Sequence, residues 1–296
     1  MGYLLLAVAV FAGATKGYCG KKISNSTQGL RDSIFANILR MFLCIIIGLI
    51  IVTVGGNANQ LAPSADILLI SALSGISTSV FVVSWLISVK KSAYMLLDVF
   101  LMTGVLIPII CGSIFFNETV KITQWVGLAI LLFSAALMCS YNNSVKVKMT
   151  LSGFLLLLLC GVANGFTDLS QKIFVKRMPD IAPSVFNLYT YVFAFITLGI
   201  AYLCIKRPQN SETKAKQGFG IYAYITVMAI CLFMNSLFKT LAASYLDSAL
   251  LYPLSQGSAL ILSTLMSAIL FKEKITIKAI VGIVIAFVGL IFINVL

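Results

Sequence analysis

Ten runs of apolar residues, each near the length that a membrane's hydrocarbon core demands, decide the fold class of this chain before any motif is considered. A core of about 30 Å takes about 20 residues of α-helix. Runs of that length fall at about 2–22, 32–54, 66–88, 93–116, 122–141, 150–174, 184–205, 219–244, 248–271 and 277–296. The connections are short and rich in turn formers, as in "VGGNANQLAPSAD" and "KRPQNSETKAKQG", and none can house a soluble domain. Composition agrees: the 296 residues are 60% hydrophobic and 10% charged, with a mean hydropathy of +1.05, whereas a soluble domain carries about 25% charged residues. The expected fold is an all-α membrane protein of ten transmembrane helices.

Several function classes drop out at once. The net charge of +12 resides in short basic clusters between apolar runs, so there is no continuous basic face and nucleic acid is not an expected partner. The cysteines Cys19, Cys44, Cys111, Cys139, Cys160, Cys204 and Cys231 form no CxxC pair and lie mostly inside apolar runs. They read as small core residues, without a metal site or disulfide framework. The chain has no histidine, which removes imidazole catalysis and His-ligated metals. No cofactor and no catalytic residue are expected. The first run ends at Lys21 and Lys22 without a small-residue cleavage pattern, so it reads as a retained helix.

An internal repeat organises the helices. "FFNETVKITQWVGLAIL" contains Glu118 and "LFKEKITIKAIVGIVIA" contains Glu273, 155 positions later; Gly127 and Gly282 each follow their glutamate by nine residues. Upstream, "SIFANILRM" from Ser33 echoes "SVFNLYTYV" from Ser184, and Thr15-Lys16 faces Thr167-Asp168. The chain divides into two five-helix halves, 1–145 and 146–296. An odd number of spans per half makes the second half enter the membrane from the opposite side, an inverted repeat. Each glutamate falls in the tight hairpin between the fourth and fifth helices of its half, where it is expected to cap the free amides of the helix that follows. Gly127, Gly282 and Gly289 are expected to allow close helix contact in lipid.

The segments "GSIFFNETVKITQWVGLAILLFSAALM" and "SAILFKEKITIKAIVGIVIAFVGLIFI" resemble the two copies of the EamA-type domain of the drug/metabolite transporter superfamily, and the resemblance covers nearly the whole chain. It implies a basket of ten helices, a central cavity lined by the first, third and fourth helices of each half, peripheral fifth and tenth helices, and transport by alternating access. It does not specify the solute. The implied setting is a multi-pass protein of a bacterial cell membrane, with a small solute and the lipid bilayer as its partners.

Candidate solute-binding residues follow from charge cost. An ionised side chain at mid-membrane costs at least about 2.5 kcal/mol, so it faces water or a partner. Lys16, Arg40, Asp98, Asp168 and Lys239 qualify, and polar stripes at helical spacing join several of them: Asn164, Asp168 and Gln171; Asn235 and Lys239; Tyr252 and Gln256; Tyr94 and Asp98. Lys16 and Asp168, at equivalent positions of the halves, are candidates for an ion pair across the site; the alternative is that both snorkel to the interface. Arg40 either serves the site or bonds backbone carbonyls between helices. Trp85, seven residues after Thr78, is either a cavity wall or ordinary packing. Of the prolines inside spans, Pro253 is the better candidate than Pro108 for a functional bend.

The residues favour a secondary transporter of a small polar metabolite, with a zwitterionic or anionic solute favoured by three intramembrane cations against two acids. An exporter of lipophilic cations is the alternative, weakened because the first helix offers Lys16 and no acid. A membrane-embedded enzyme would need a nucleophile and acid–base cluster that the chain lacks. Orientation has two conflicting indicators. Connections after odd-numbered helices hold 14 basic residues and those after even-numbered helices hold 4, Lys121, Lys172, Lys176 and Arg177, which puts both termini outside. The family resemblance implies both termini inside; the charge count, which belongs to this chain, is preferred.

Overall fold

Helix boundaries in the computed structural model, which describes residues 1–26, 29–90, 94–139, 151–205, 219–271 and 277–294, follow the apolar runs closely. The helices are α1 (Gly2–Ser26), α2 (Leu30–Val54), α3 (Ala65–Lys90), α4 (Tyr94–Gly104), α5 (Leu106–Phe116), α6 (Ile122–Cys139), α7 (Leu151–Arg177), α8 (Pro183–Cys204), α9 (Phe219–Ala243), α10 (Ser248–Phe271) and α11 (Ile277–Asn294). Seven of the described helices are long and apolar enough to cross a membrane, and three shorter apolar segments, Phe100–Phe116, Ile122–Leu137 and Ile280–Asn294, occupy the remaining expected spans. The residues exposed on them are largely Leu, Ile, Val and Phe, as lipid contact requires.

The fourth span is broken. α4 ends at Gly104 and α5 begins at Leu106, with Val105 N–H bonding the Met102 carbonyl at 3.2 Å in a tightened turn. Pro108 is the cause: it has no N–H for the Gly104 carbonyl four residues back. The bend therefore falls at Pro108 and not, as expected, at Pro253, around which α10 runs continuously. Pro253, the sixth residue of α10, forfeits the single bond to the Ala249 carbonyl, and the helix absorbs that loss without a break. The freed segment packs against α7 through glycine. A methyl group added at Gly104 would lie 2.1 Å from the Gly161 carbonyl oxygen, and one at Gly165 would lie 2.3 Å from that of Gly104. Gly161 and Gly165 form the small-xxx-small spacing that lets backbones touch in lipid.

Helix pairing displays the inverted repeat. α1 packs on α9 and α10, and α7 correspondingly on α3 and on α4 with α5; α2 meets α9 as α8 meets α3; α2 meets α8, and α6 meets α11. The last pair is self-complementary. Gly127 lies against the Gly289 carbonyl, leaving 2.7 Å for an added methyl, while Ser134 Oγ donates to the Gly282 carbonyl at 2.6 Å. The two contacts interchange under the same offset of 155 that relates the glutamates, as a two-fold axis demands. α6 and α11 sit at the periphery, touching chiefly each other, α4 and α10. Asn37 and Asn187, in equivalent helices, each donate to the carbonyl four residues earlier, Ser33 at 2.8 Å and Pro183 at 2.9 Å. The Tyr3 hydroxyl donates to Asn294 Oδ1 at 2.8 Å, so α1 begins where α11 ends. The fold is an all-α membrane architecture of ten spans in two inverted five-helix repeats. The expected division at 145/146 lies outside the described residues.

Candidate functional site

α7 carries the polar stripe read from the sequence into the protein interior. Asp168, 2% exposed, is met by Lys239 of α9, with Nζ 2.6 Å from Oδ1. Tyr252 of α10 donates its hydroxyl to the Asp168 backbone carbonyl at 2.7 Å, and its ring centroid lies 5.4 Å from Lys239 Nζ. Three helices thus converge on one residue, α9 at its carboxylate and α10 at its backbone carbonyl. A charge this deep persists only when paired and hydrogen-bonded, yet Asp168 Oδ2 has no hydrogen-bond partner among the described residues. Asn164, one turn earlier, leaves Nδ2 without one, and Gln171 donates to Ser236 Oγ at 3.2 Å while its Oε1 stays free. Ser236 continues to Asn187 Oδ1. Asn235 is committed to packing, donating to the Ala9 carbonyl of α1 at 2.7 Å. Gln256 follows Tyr252 by one turn and is half-buried.

Lys16 stands ten residues before the end of α1 and Asp168 nine residues before the end of α7, so each lies about 15 Å from its helix end. The equivalent depth expected from the repeat is present. Their ion pair is not. Asp168 takes Lys239, because α7 packs directly on α9, whereas the main neighbours of α1 are α9, α10 and α3. Lys16 remains partly accessible, its Nζ 5.7 Å from the Phe81 ring centroid, with Arg40, Lys239 and Asp168 as its electrostatic neighbours.

Arg40 of α2 is 3% exposed and reaches none of the backbone carbonyls that the sequence allowed for it. Its Nη1 lies 3.3 Å from Met228 Sδ, and its Nε and Nη2 have no hydrogen-bond partner among the described residues. Trp85 is buried with Cys19, Ile23, Leu86 and Met228, its ring occupying the space over Gly20, where an added methyl would lie 2.5 Å away. Trp85 is therefore held as packing at the edge of this cluster. Asp98 lies on α4, and its side chain is outside the described residues, as is Glu273.

Glu118 builds a second charged cluster at the end of the helices. Asn117, at φ 51, terminates α5 in the left-handed conformation, and Glu118 N–H bonds the Gly112 carbonyl at 3.2 Å. The carboxylate then turns inward. Its Oε2 accepts from Ser248 N–H at 2.8 Å, and its Oε1 lies 2.7 Å from Lys172 Nζ and 3.6 Å from Lys176 Nζ. Glu118 therefore caps α10, in the other half of the chain, and not α6, the helix that follows it. At the start of α6 the Lys121 N–H is answered by Gln124 Oε1 at 3.0 Å, and Gly112 provides the seat for Glu118: an added methyl there would lie 2.8 Å from Oε2. Burial pushes the Glu118 carboxyl up, but the bonds from Lys172 and Ser248 outweigh it and hold it below its ordinary range. Lys172, counted from sequence among the loop charges, is 1% exposed inside α7 and also donates to the Leu246 carbonyl at 2.9 Å. The signal for it was the spacing of Asp168, Lys172 and Lys176, four residues apart on one helix face.

Comparison with known proteins bears on this arrangement. The model of the EamA-like transporter family matches residues 1–140 and again 151–295. No curated protein matches by sequence. A solved structure, titled only as the crystal structure of a protein, superposes with a TM-score of 0.78 at 10% identity, covering 99% of this chain and 96% of that one. At that identity the likeness speaks for the fold alone. Two matches of the family model, one on each half of an inverted repeat, leave one conclusion: this chain belongs to the EamA-like transporter family.

Proposed function

We propose that this protein is a secondary carrier of a small polar metabolite, amino-acid-like and zwitterionic or anionic, working by alternating access of the halves 1–145 and 146–296. The observation that carries the reading is the central cluster: a buried Asp168–Lys239 pair with Lys16 as its cationic neighbour, Arg40 in turn a neighbour of Lys16, and unused hydrogen-bonding capacity on Asp168, Asn164 and Arg40. Buried polar groups that the fold leaves unmatched are costly unless something else completes them. A solute bearing both a carboxylate and a polar or cationic group completes both sides. Two packing arrangements related by the repeat would expose the cluster alternately to each face.

A lipophilic cation suits this cluster poorly, since it would meet three cations and one described carboxylate. The residues assigned to the solute are Lys16, Arg40, Asn164, Asp168, Lys239 and Tyr252, with Gln256 in support, while Asn235 holds α9 to α1. The cell membrane of a bacterium is the proposed location, with both termini outside. Two of the four basic residues on the face opposed to that orientation, Lys172 and Lys176, are already engaged by Glu118, so the charge bias between faces is steeper than the raw count.

The test is solute counterflow with purified protein in liposomes, across a panel of amino acids, dicarboxylates and quaternary ammonium compounds. Saturable counterflow of an amino acid or organic anion supports the reading. Counterflow of the quaternary ammonium compounds alone refutes it.

A further inference from the structure

Arg40 presents an unfilled receptor. In a guanidinium, the Nε and Nη2 protons lie on one edge and point the same way, a fork whose spacing matches the two oxygens of a carboxylate or phosphate. Those are the two nitrogens of Arg40 without a partner among the described residues, in a side chain 3% exposed. The nitrogen that is engaged, Nη1, meets only Met228 sulfur at 3.3 Å, a weak acceptor.

A second cation stands near it. Lys16 has Arg40 as an electrostatic neighbour, and among the described residues its ammonium meets the face of Phe81. The one described acid in reach, Asp168, is held at 2.6 Å by Lys239. The two like charges repel, and among the described residues neither is ion-paired with a carboxylate. A rigid edge of free donors beside a second positive charge is what an incoming two-oxygen anion requires.

We infer that Arg40 and Lys16 form an anion-receiving subsite, in which the Nε–Nη2 edge of Arg40 grips the carboxylate or phosphate of the carried solute and Lys16 adds charge from α1. The inference rests on the carrier reading above and deepens it: Arg40 recognises the shape of the anion, Lys16 its charge.

Isothermal titration on the purified full-length protein, in phospholipid-free detergent at fixed ionic strength, tests this without needing the true solute. The probes are succinate, inorganic phosphate and neutral succinamide. Saturable binding of succinate or phosphate, with none of succinamide, is expected, and Arg40→Lys, which keeps the charge and removes the fork, should weaken it at least about tenfold. Succinate binding with no phosphate binding identifies a carboxylate site, and the reverse a phosphate site. Should Arg40→Lys fail to fold, Lys16→Met carries the comparison, with a loss of about fivefold or more expected. Equal anion binding by wild type and variant, or no anion binding by the wild type, overturns the subsite. So does binding that appears only when phosphatidylglycerol is restored, since the receptor would then serve a lipid headgroup. Anion binding in a protein that shows no counterflow of any solute removes the carrier reading and leaves the subsite standing.

Discussion

Glu118 and Asp168 are both buried carboxylates answered by lysine, and the difference between their surroundings separates a clasp from a binding site. Both Glu118 oxygens are met within the fold: Ser248 N–H donates to Oε2, while Oε1, without a geometric hydrogen bond among the described residues, is held ionically by Lys172 at 2.7 Å and by Lys176 at 3.6 Å; Lys172 also donates to the Ala243 carbonyl at the end of α9 and to the Leu246 carbonyl just beyond it. Asp168 has one oxygen on Lys239 and the other without a partner among the described residues, with a free amide on Asn164 one turn away and Lys16 as a second cationic neighbour. A closed set of charges holds helices together. An open set, in the middle of an inverted repeat, is held ready for something that arrives.

The largest effect that can break this contrast comes from Asp168→Asn. It leaves Lys239 buried with Lys16 as a cationic neighbour, and a loss of about 3 to 5 kcal/mol is expected on thermal unfolding in detergent, together with loss of counterflow. Asp168→Asn with Lys239→Met should recover much of the stability and none of the transport. Full recovery of transport in the double variant would make the pair structural.

Glu118→Gln is expected to cost less, about 2 kcal/mol, because Lys172 keeps the Leu246 carbonyl and Lys176 is partly solvated. The pH dependence has a definite sign. The folded carboxyl is held below its ordinary value of about 4.3; its contribution is therefore fully present above that value and is lost as pH falls through the lower folded one. Melting curves of wild type and Glu118→Gln should stay apart at neutral pH and converge only as pH falls below the ordinary carboxylate range. A gap that persists in acid would show that the ionised carboxylate is not what clasps α10 to α7.

Glycine substitutions sharpen the packing side at similar or smaller magnitude. Gly161→Ala drives a methyl to 2.1 Å from the Phe100 carbonyl oxygen, for an expected loss of about 1 to 3 kcal/mol. Gly199→Ala in α8 meets nothing within 4 Å and should gain about 0.5 kcal/mol through helix propensity. Equal responses at the two positions would remove the argument that α4 and α7 touch backbone to backbone.

Lys16→Met should show the smallest change in stability, within about 0.5 kcal/mol, since Lys16 makes only a ring contact and is repelled by Arg40 and Lys239. Its counterflow should nonetheless fall sharply. A stability loss as large as that of Asp168→Asn would place Lys16 in a structural pair after all.

Much of this was legible in the sequence. The ten spans follow from run lengths alone, and the repeat was visible because Glu118, Glu273 and their glycines keep one offset, which the Gly127–Gly289 and Ser134–Gly282 contacts reproduce. Partner identity was not legible. The offset places Lys16 opposite Asp168 but does not say that α9 lies closer to α7 than α1 does, which is why Lys239 takes the carboxylate. Likewise a hairpin glutamate announces a cap, but only the packing of α10 beside α5 reveals whose amide it meets. Lys172 escaped because its charge suggested a loop, although its spacing from Asp168 already put it on the buried face of α7. The open edge of Arg40 could not be read at all, since an absent partner has no sequence signature.

Solute counterflow by Asp168→Asn and Glu118→Gln, measured side by side in liposomes on protein verified as folded, tests most directly the claim that the central cluster is the solute site and the hairpin cluster a clasp. The account predicts that Glu118→Gln keeps the wild-type half-saturation concentration within about threefold, whatever its rate, while Asp168→Asn shows no saturable counterflow. Wild-type half-saturation in Asp168→Asn, with loss of solute recognition in Glu118→Gln, would contradict it.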